Sequence, residues 1–322
     1  MSFLRRHPAL PAGLLFALLL LGAPAVFERG TLNTLWSLAF AVVLASAWNL
    51  LGGFAGQVSL GYSAFVGIGA YTTVLLSLAG WNPTLTLPIG ALLAVAFSVA
   101  VGLPTFRLRG PYFTIATIGV GEAVRVIASG VAFTGGSSGL RMPPGTFDFT
   151  GNYYSIVLLA LFTLGVVGWL QQHSFGLGLE AIRQDIDAAE ALGVSSTRLK
   201  LEAHAISAAL VALAGGLYAI NFQYIGPGNV FDFRLSLNIV LMPIVGGMGT
   251  VVGPVLGAAL FTYLQDRVLA SPTLNASYLF IYGGLLILVM LFEPRGIVGL
   301  FERLVRRLPR RRAPAVPEGS RA

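Results

Sequence analysis

From Gly30 to Phe106 the chain carries no Asp, Glu, Lys or Arg. A charge-free run of that length must hold several crossings, because roughly 20 apolar residues span a bilayer once. Further along, apolar stretches bounded by polar residues, Gly or Pro repeat the pattern. Together they predict ten spans, near residues 8–27, 31–51, 62–79, 83–103, 111–133, 153–170, 203–224, 235–247, 251–268 and 274–292. The eighth is short enough to be re-entrant. The expected fold class is all-α, a polytopic transmembrane helical bundle over residues 1–294, followed by a basic cytoplasmic tail over 295–322.

Composition agrees with this pattern. Hydrophobic residues make up 56% and charged residues only 10%, with a mean hydropathy of +0.80, where soluble domains average about a quarter charged. The 40 glycines suit membrane helices, whose backbones approach closely through small residues. The net charge of +7 raises the question of nucleic acid, but eight of the 20 basic residues lie after Glu293. A juxtamembrane cluster of that kind fits anionic lipid, and no nucleic-acid partner is expected. This terminus reads as an interfacial helix, roughly Leu300 to Leu308, and then a disordered tail.

With the N-terminus inside, fifteen basic residues fall on the cytoplasmic side and four outside, so both termini are expected in the cytoplasm. The first span has a rival reading as a cleavable signal peptide, because Arg5, Arg6, an apolar run and Ala23-Pro24-Ala25 also have that form. Retention is the expectation; a mature chain beginning near Val26 would reverse it.

Four segments stand out. In Gly52-Gly53-Phe54-Ala55-Gly56-Gln57-Val58-Ser59-Leu60-Gly61-Tyr62, paired glycines break the helix, and broken backbone at membrane depth survives only against protein or a wet cavity. Gln57, Ser59 and Tyr62 are candidates to line a solute pathway; a tight interhelical turn is the plainer alternative. The second segment, Leu108 to Arg125, adds Thr114 and Thr117 to the pathway set, and places Glu122 and Arg125 one helical turn apart. That pair reads as a neutralised structural contact, the other reading being the coupling pair of a stand-alone secondary transporter. The third, Gly178 to Gly193, is the longest charged segment between spans and predicts a helix of about three turns that stops at Gly193. Either it is a solvated acidic loop helix, or its small apolar face docks into a soluble partner. The fourth, Val245-Gly246-Gly247-Met248-Gly249-Thr250, predicts a tight turn between spans.

Absences narrow the function. The single lysine, Lys200, follows Leu199, so no G-K-[ST] phosphate loop is present, and no HExxH helix occurs. With no cysteine and three scattered histidines, neither a metal site nor a cofactor is expected, and the chain does not read as an enzyme.

Taken together, the G-Q-x-S-L-G-x-x-A-F-x-G-I-G-A-Y stretch, the L-R-G-x-Y-F-x-I-x-T stretch, Thr134-Gly135-Gly136-Ser137-Ser138-Gly139-Leu140 and the G-G-M-G-T turn resemble, in that order, the inner-membrane permeases of branched-chain amino-acid ABC transporters. The likeness is to the M-type permease and runs from about Trp48 to Pro294. It implies an alternating-access importer in a bacterial inner membrane. The partners it implies are a second, H-type permease, two cytoplasmic ATPases that hydrolyse the ATP, and an extracytoplasmic binding protein. The resemblance assigns ATPase coupling to Glu180, Ala181, Ile182, Arg183, Asp185, Ala188, Ala189 and Gly193. Leu177 and Ile186 stand where family members often carry a basic residue and Glu. Relatives of this type carry leucine, isoleucine and valine, and others carry further amino acids, amides or urea.

Overall fold

A computed structural model describes residues 22–270, 283–284, 287 and 296–299. Most of the first and last expected spans, the signal-peptide alternative and the tail helix lie outside those residues. Residues 23–25, at the end of the first expected span, form a 3-10 turn.

The principal helices are α1 Arg29–Asn49, α2 Ser63–Leu78, α3 Pro83–Thr105, α4 Pro111–Gly130, α5 Phe149–Gln172, α6 Ser174–Gln184, α7 Ile186–Ala191, α8 Ser196–Phe222, α9 Pro227–Val230, α10 Phe233–Gly246 and α11 Val252–Ala270. Six stretches among the described residues are long and apolar enough to cross a membrane: Arg29–Phe54, α3, α4, α5, α8 and Pro227–Gly246. α2 is a shorter apolar helix of 16 residues. Six of the ten expected spans therefore have a helix of spanning length among the described residues, with shifted edges, and two shifts have clear causes. The seventh begins earlier, at Ser196, because Arg198, Lys200 and Glu202 sit in the first turns of α8: Arg198 pairs with Glu202, and the Lys200 ammonium lies 5.7 Å from the centre of the Phe106 ring. The eighth gains length from α9, which Pro227 starts at a position that needs no backbone donor.

α1 and α8 form the centre of the bundle. Trp36, Val43, Ala45 and Trp48 of α1 and Ala203, Val211 and Ala214 of α8 are buried, while α2 and α3 pack on α8, and α5 and α11 on α1. Small residues allow this closeness. A methyl group at Gly69 would overlap the Ala212 carbonyl, and one at Gly215 would overlap that of Val66. At one end of the bundle a two-residue antiparallel ladder pairs β1 Leu140–Arg141 with β2 Tyr224–Ile225, in the register Leu140 to Ile225 and Arg141 to Tyr224. Met142 N donates to Gln223 O at 3.0 Å, and the Tyr224 hydroxyl donates to Ser138 O at 3.0 Å.

The charged segment differs from the single helix expected. It consists of α6 and α7, broken at Asp185, whose carboxylate accepts from Asp187 N at 2.9 Å and Ala188 N at 3.1 Å. The residue is an N-cap, and that chemistry outcompetes helix continuation. The stop at Gly193 holds, with φ +89°.

Candidate functional site

The break after α1 is a π-helical turn, Leu50–Phe54, followed by extended chain to Gly61. Several of its backbone polar groups are bonded by side chains from both flanks, as burial favours. Trp48 Nε1 donates to Ser59 O at 2.8 Å, and Thr114 Oγ1 donates to Val58 O at 2.8 Å. Leu60 N in turn donates to Thr117 Oγ1 at 3.0 Å. Beyond the break, Ser63 N donates to Ser236 Oγ at 2.8 Å.

The five expected pathway residues thus lie in one region, between the break and α4, but three of their hydroxyls are engaged within the chain. Thr114 and Thr117 hold the extended segment. Tyr62 is fully buried, with its hydroxyl 2.9 Å from that of Ser207, which donates to Ala47 O at 2.6 Å. Gln57 and Ser59 are also buried. A cavity of about 520 Å³ lies apart from them, lined by Trp81, Asn82, Asp148 and Asn152 among others.

Three of the segments singled out above meet at one point. Arg183, near the end of α6, runs its stem beside Gly56, where a Cβ would sit 3.1 Å from its Cγ, and its Nη1 donates to Gly53 O at 2.6 Å. On the other side is Gly249: a Cβ there would strike the same guanidinium. Gly56 and Gly249 have φ of +68° and +76°, conformations that glycine adopts without strain. Asn49 joins the remaining edges, its Oδ1 accepting from Gly249 N at 3.0 Å and its Nδ2 donating to Thr250 O at 2.9 Å. The helix break, the charged segment and the G-G-M-G-T turn therefore form one polar knot. Asn49 escaped the sequence reading because it looks like an ordinary polar residue at a helix end; the break that follows it is the available signal.

Of the other expected coupling residues, Ile182 and Ala189 are buried against the body of the chain, so they belong to the seat of the segment and not to an outward face. Glu180, Asp185, Ala188 and Gly193 are exposed, and Ala181 is half-buried. Leu177 and Leu192 stand out, 64% and 86% exposed. A second tie holds the segment: both terminal nitrogens of Arg109, in the α3–α4 loop, meet the Asp187 carboxylate, at 3.0 and 3.3 Å. That hydrogen-bonded carboxylate holds the guanidinium above its ordinary range. The contact also places the α3–α4 loop and the charged segment on the same side of the bundle.

Glu122 and Arg125 form the i,i+3 pair expected. Arg125 Nε lies 3.0 and 2.9 Å from the two Glu122 oxygens. No group of three or more His, Cys, Asp or Glu able to hold a metal occurs among the described residues.

Comparison with known proteins matches residues 30–290 to the family model described as branched-chain amino acid transport system / permease component. The high-affinity branched-chain amino acid transport system permease protein LivM of Escherichia coli is 31% identical, over 88% of this chain and 74% of its own. The protein of the same name in Salmonella typhimurium is 30% identical over the same shares. The autoinducer 2 import system permease protein LsrC of Yersinia pestis is 24% identical, over 87% of this chain and 82% of its own. No solved structure matches. A multi-pass helical membrane protein with this match across most of its length belongs to the family of permease components of branched-chain amino acid transport systems.

Proposed function

We propose that this chain is one permease subunit of an ATP-binding-cassette importer in a bacterial inner membrane, carrying branched-chain or related amino acids by alternating access. It works with a second permease, two ATPases on the cytoplasmic side and an extracytoplasmic binding protein. The α6–α7 segment faces the ATPases, both termini are cytoplasmic, and the chain crosses about ten times.

The observation that carries this reading is the knot around Arg183. A segment that exposes the apolar side chains of Leu177 and Leu192, a chemistry suited to a groove on a soluble partner, is tied to the helix break by the Arg183 to Gly53 bond. Force applied outside the membrane thus has a short, polar route to irregular backbone at the pathway. This chain supplies no phosphate-binding loop, so the ATP chemistry belongs to other subunits.

The test is reconstitution of the chain with the ATPases, second permease and binding protein encoded beside it. ATP inside proteoliposomes of suitable orientation should drive uptake of radiolabelled L-leucine. Uptake by this chain without ATPases, abolished by a protonophore, would overturn the reading in favour of a secondary transporter.

A further inference from the structure

Glu122 sits near the middle of α4, a helix of 20 residues, about 17 Å from its first residue and about 12 Å from its last at 1.5 Å per residue. Among the described residues of the six candidate spans, no other Asp, Glu, Lys or Arg lies more than two turns from both ends. The pair it forms with Arg125 is turned away from the body of the chain, with side chains 47% and 37% exposed. The rotation of α4 is fixed, because Phe113, Thr117, Gly121 and Ala128 are buried and Thr114 and Thr117 are bonded to the extended segment. A charge pair turned to hydrocarbon at that depth is expensive. This face therefore meets water or protein.

We propose that Glu122 and Arg125 bind a zwitterionic amino acid in transit, Arg125 taking its carboxylate and Glu122 its ammonium group. The inference rests on the importer reading above. It narrows the substrate to solutes that carry both charges, which excludes urea and simple amides. Solute and pair each bring one positive and one negative group, so exchanging partners leaves every charge matched and no net charge buried. The outward surface of the helix fits the rest of such a solute. Ile115 and Val126 are exposed apolar surfaces, and beside Glu122, one turn earlier, Gly119 leaves open space: a Cβ there would meet nothing within 4 Å.

The experiment uses the complete importer in proteoliposomes and a photoreactive diazirine analogue of L-leucine, with the cross-linked peptide mapped by mass spectrometry. Label is expected within residues 115–126, competed by L-leucine and not by L-leucinamide, which lacks the carboxylate. The double variant Glu122→Gln, Arg125→Met should lose this label and reduce leucine uptake about tenfold or more, the scale of one lost charge-assisted contact. Should that variant fail to insert, Gly119→Leu decides: it leaves both charges in place and is harmless on a lipid-facing surface, but here should reduce label and uptake alike. Label confined to other helices, or normal uptake in an inserted variant of either kind, overturns the proposal. A wild-type complex that takes up neither leucine nor the analogue instead overturns the amino-acid reading on which it rests.

Discussion

The Arg183 guanidinium reaches the Gly53 carbonyl at 2.6 Å across 130 positions of sequence, with its stem lying against Gly56. Arg183→Met keeps the stem and removes the donors, so it should leave the chain inserted while uptake per ATP hydrolysed falls about tenfold, as expected for one lost charged hydrogen bond. Arg183→Lys, which retains a donor, should recover part of that loss. Parallel measurement of ATP hydrolysis and leucine uptake in proteoliposomes checks this; normal coupling in Arg183→Met would show that the bond only decorates the fold.

Gly53 has no room for a side chain, since a Cβ would strike Asn49 Oδ1 and lie 2.7 Å from Gly249 N. Gly53→Ala should therefore destabilise the chain by about 1–3 kcal/mol, the usual range for overpacking. Gly165→Ala in α5, where a Cβ meets nothing within 4 Å, should be neutral or stabilise by about 0.5–1 kcal/mol through helix propensity. Thermal unfolding in detergent separates the two, and equal midpoints would contradict the packing described.

At Thr117 the hydroxyl accepts from Leu60 N and donates to Thr114 O. Thr117→Val keeps the shape but leaves the half-buried Leu60 N–H without that partner, a loss of about 1 kcal/mol. Thr117→Ser should restore most of it. If the valine variant unfolds at the wild-type temperature, the extended segment does not depend on this bond.

Leu192 is 86% exposed, so Leu192→Asp should leave the folding of the chain unchanged. In the assembled importer the same change should abolish capture of the ATPase, measured by pull-down from detergent, because it sets a charge in an apolar contact. Intact capture in Leu192→Asp would move the docking surface elsewhere on the segment.

The chain contains no cysteine, so single cysteines report sidedness cleanly. Ser137→Cys should react with an impermeant maleimide on intact cells, or on spheroplasts where an outer membrane intervenes, and Gln184→Cys should not. The two positions lie on either side of α5, Phe149–Gln172. The opposite pattern would invert the orientation proposed.

Much of the bundle is legible in the sequence because burial in lipid leaves long charge-free runs, and a run such as Gly30 to Phe106 admits few other readings. Its internal edges are harder to place. α8 begins at Ser196, ahead of the predicted start, because Lys200 finds an aromatic ring and Arg198 a carboxylate, contacts that no local pattern announces. The same holds for the site. Glycines at 52–53 and 246–249 mark irregular backbone, but only the fold reveals that Arg183 reaches both Gly53 and Gly249. Thr114 and Thr117 show the opposite case: as hydroxyls in an apolar helix they suggest solute binding, and in the structure they hold the neighbouring backbone. Asp185 illustrates how one residue overrides periodicity, since Ile182, Ile186 and Ala189 keep helical spacing across a helix that its carboxylate interrupts.

The short ladder between Leu140 and Ile225 joins the loop between α4 and α5 to the end of α8, at the end of α5 opposite the α6–α7 segment. The ladder ties that loop to the end of α8, whereas the far side of the bundle is held by Arg183 and the exposed Arg109–Asp187 tie. Under the coupling proposed above, a bundle tied at one end and pushed at the other acts as a set of levers about a common fulcrum. A small sideways displacement of α6 and α7 would then become a change of tilt in α4, α5 and α8, largest where the displacement enters and smallest at the ladder.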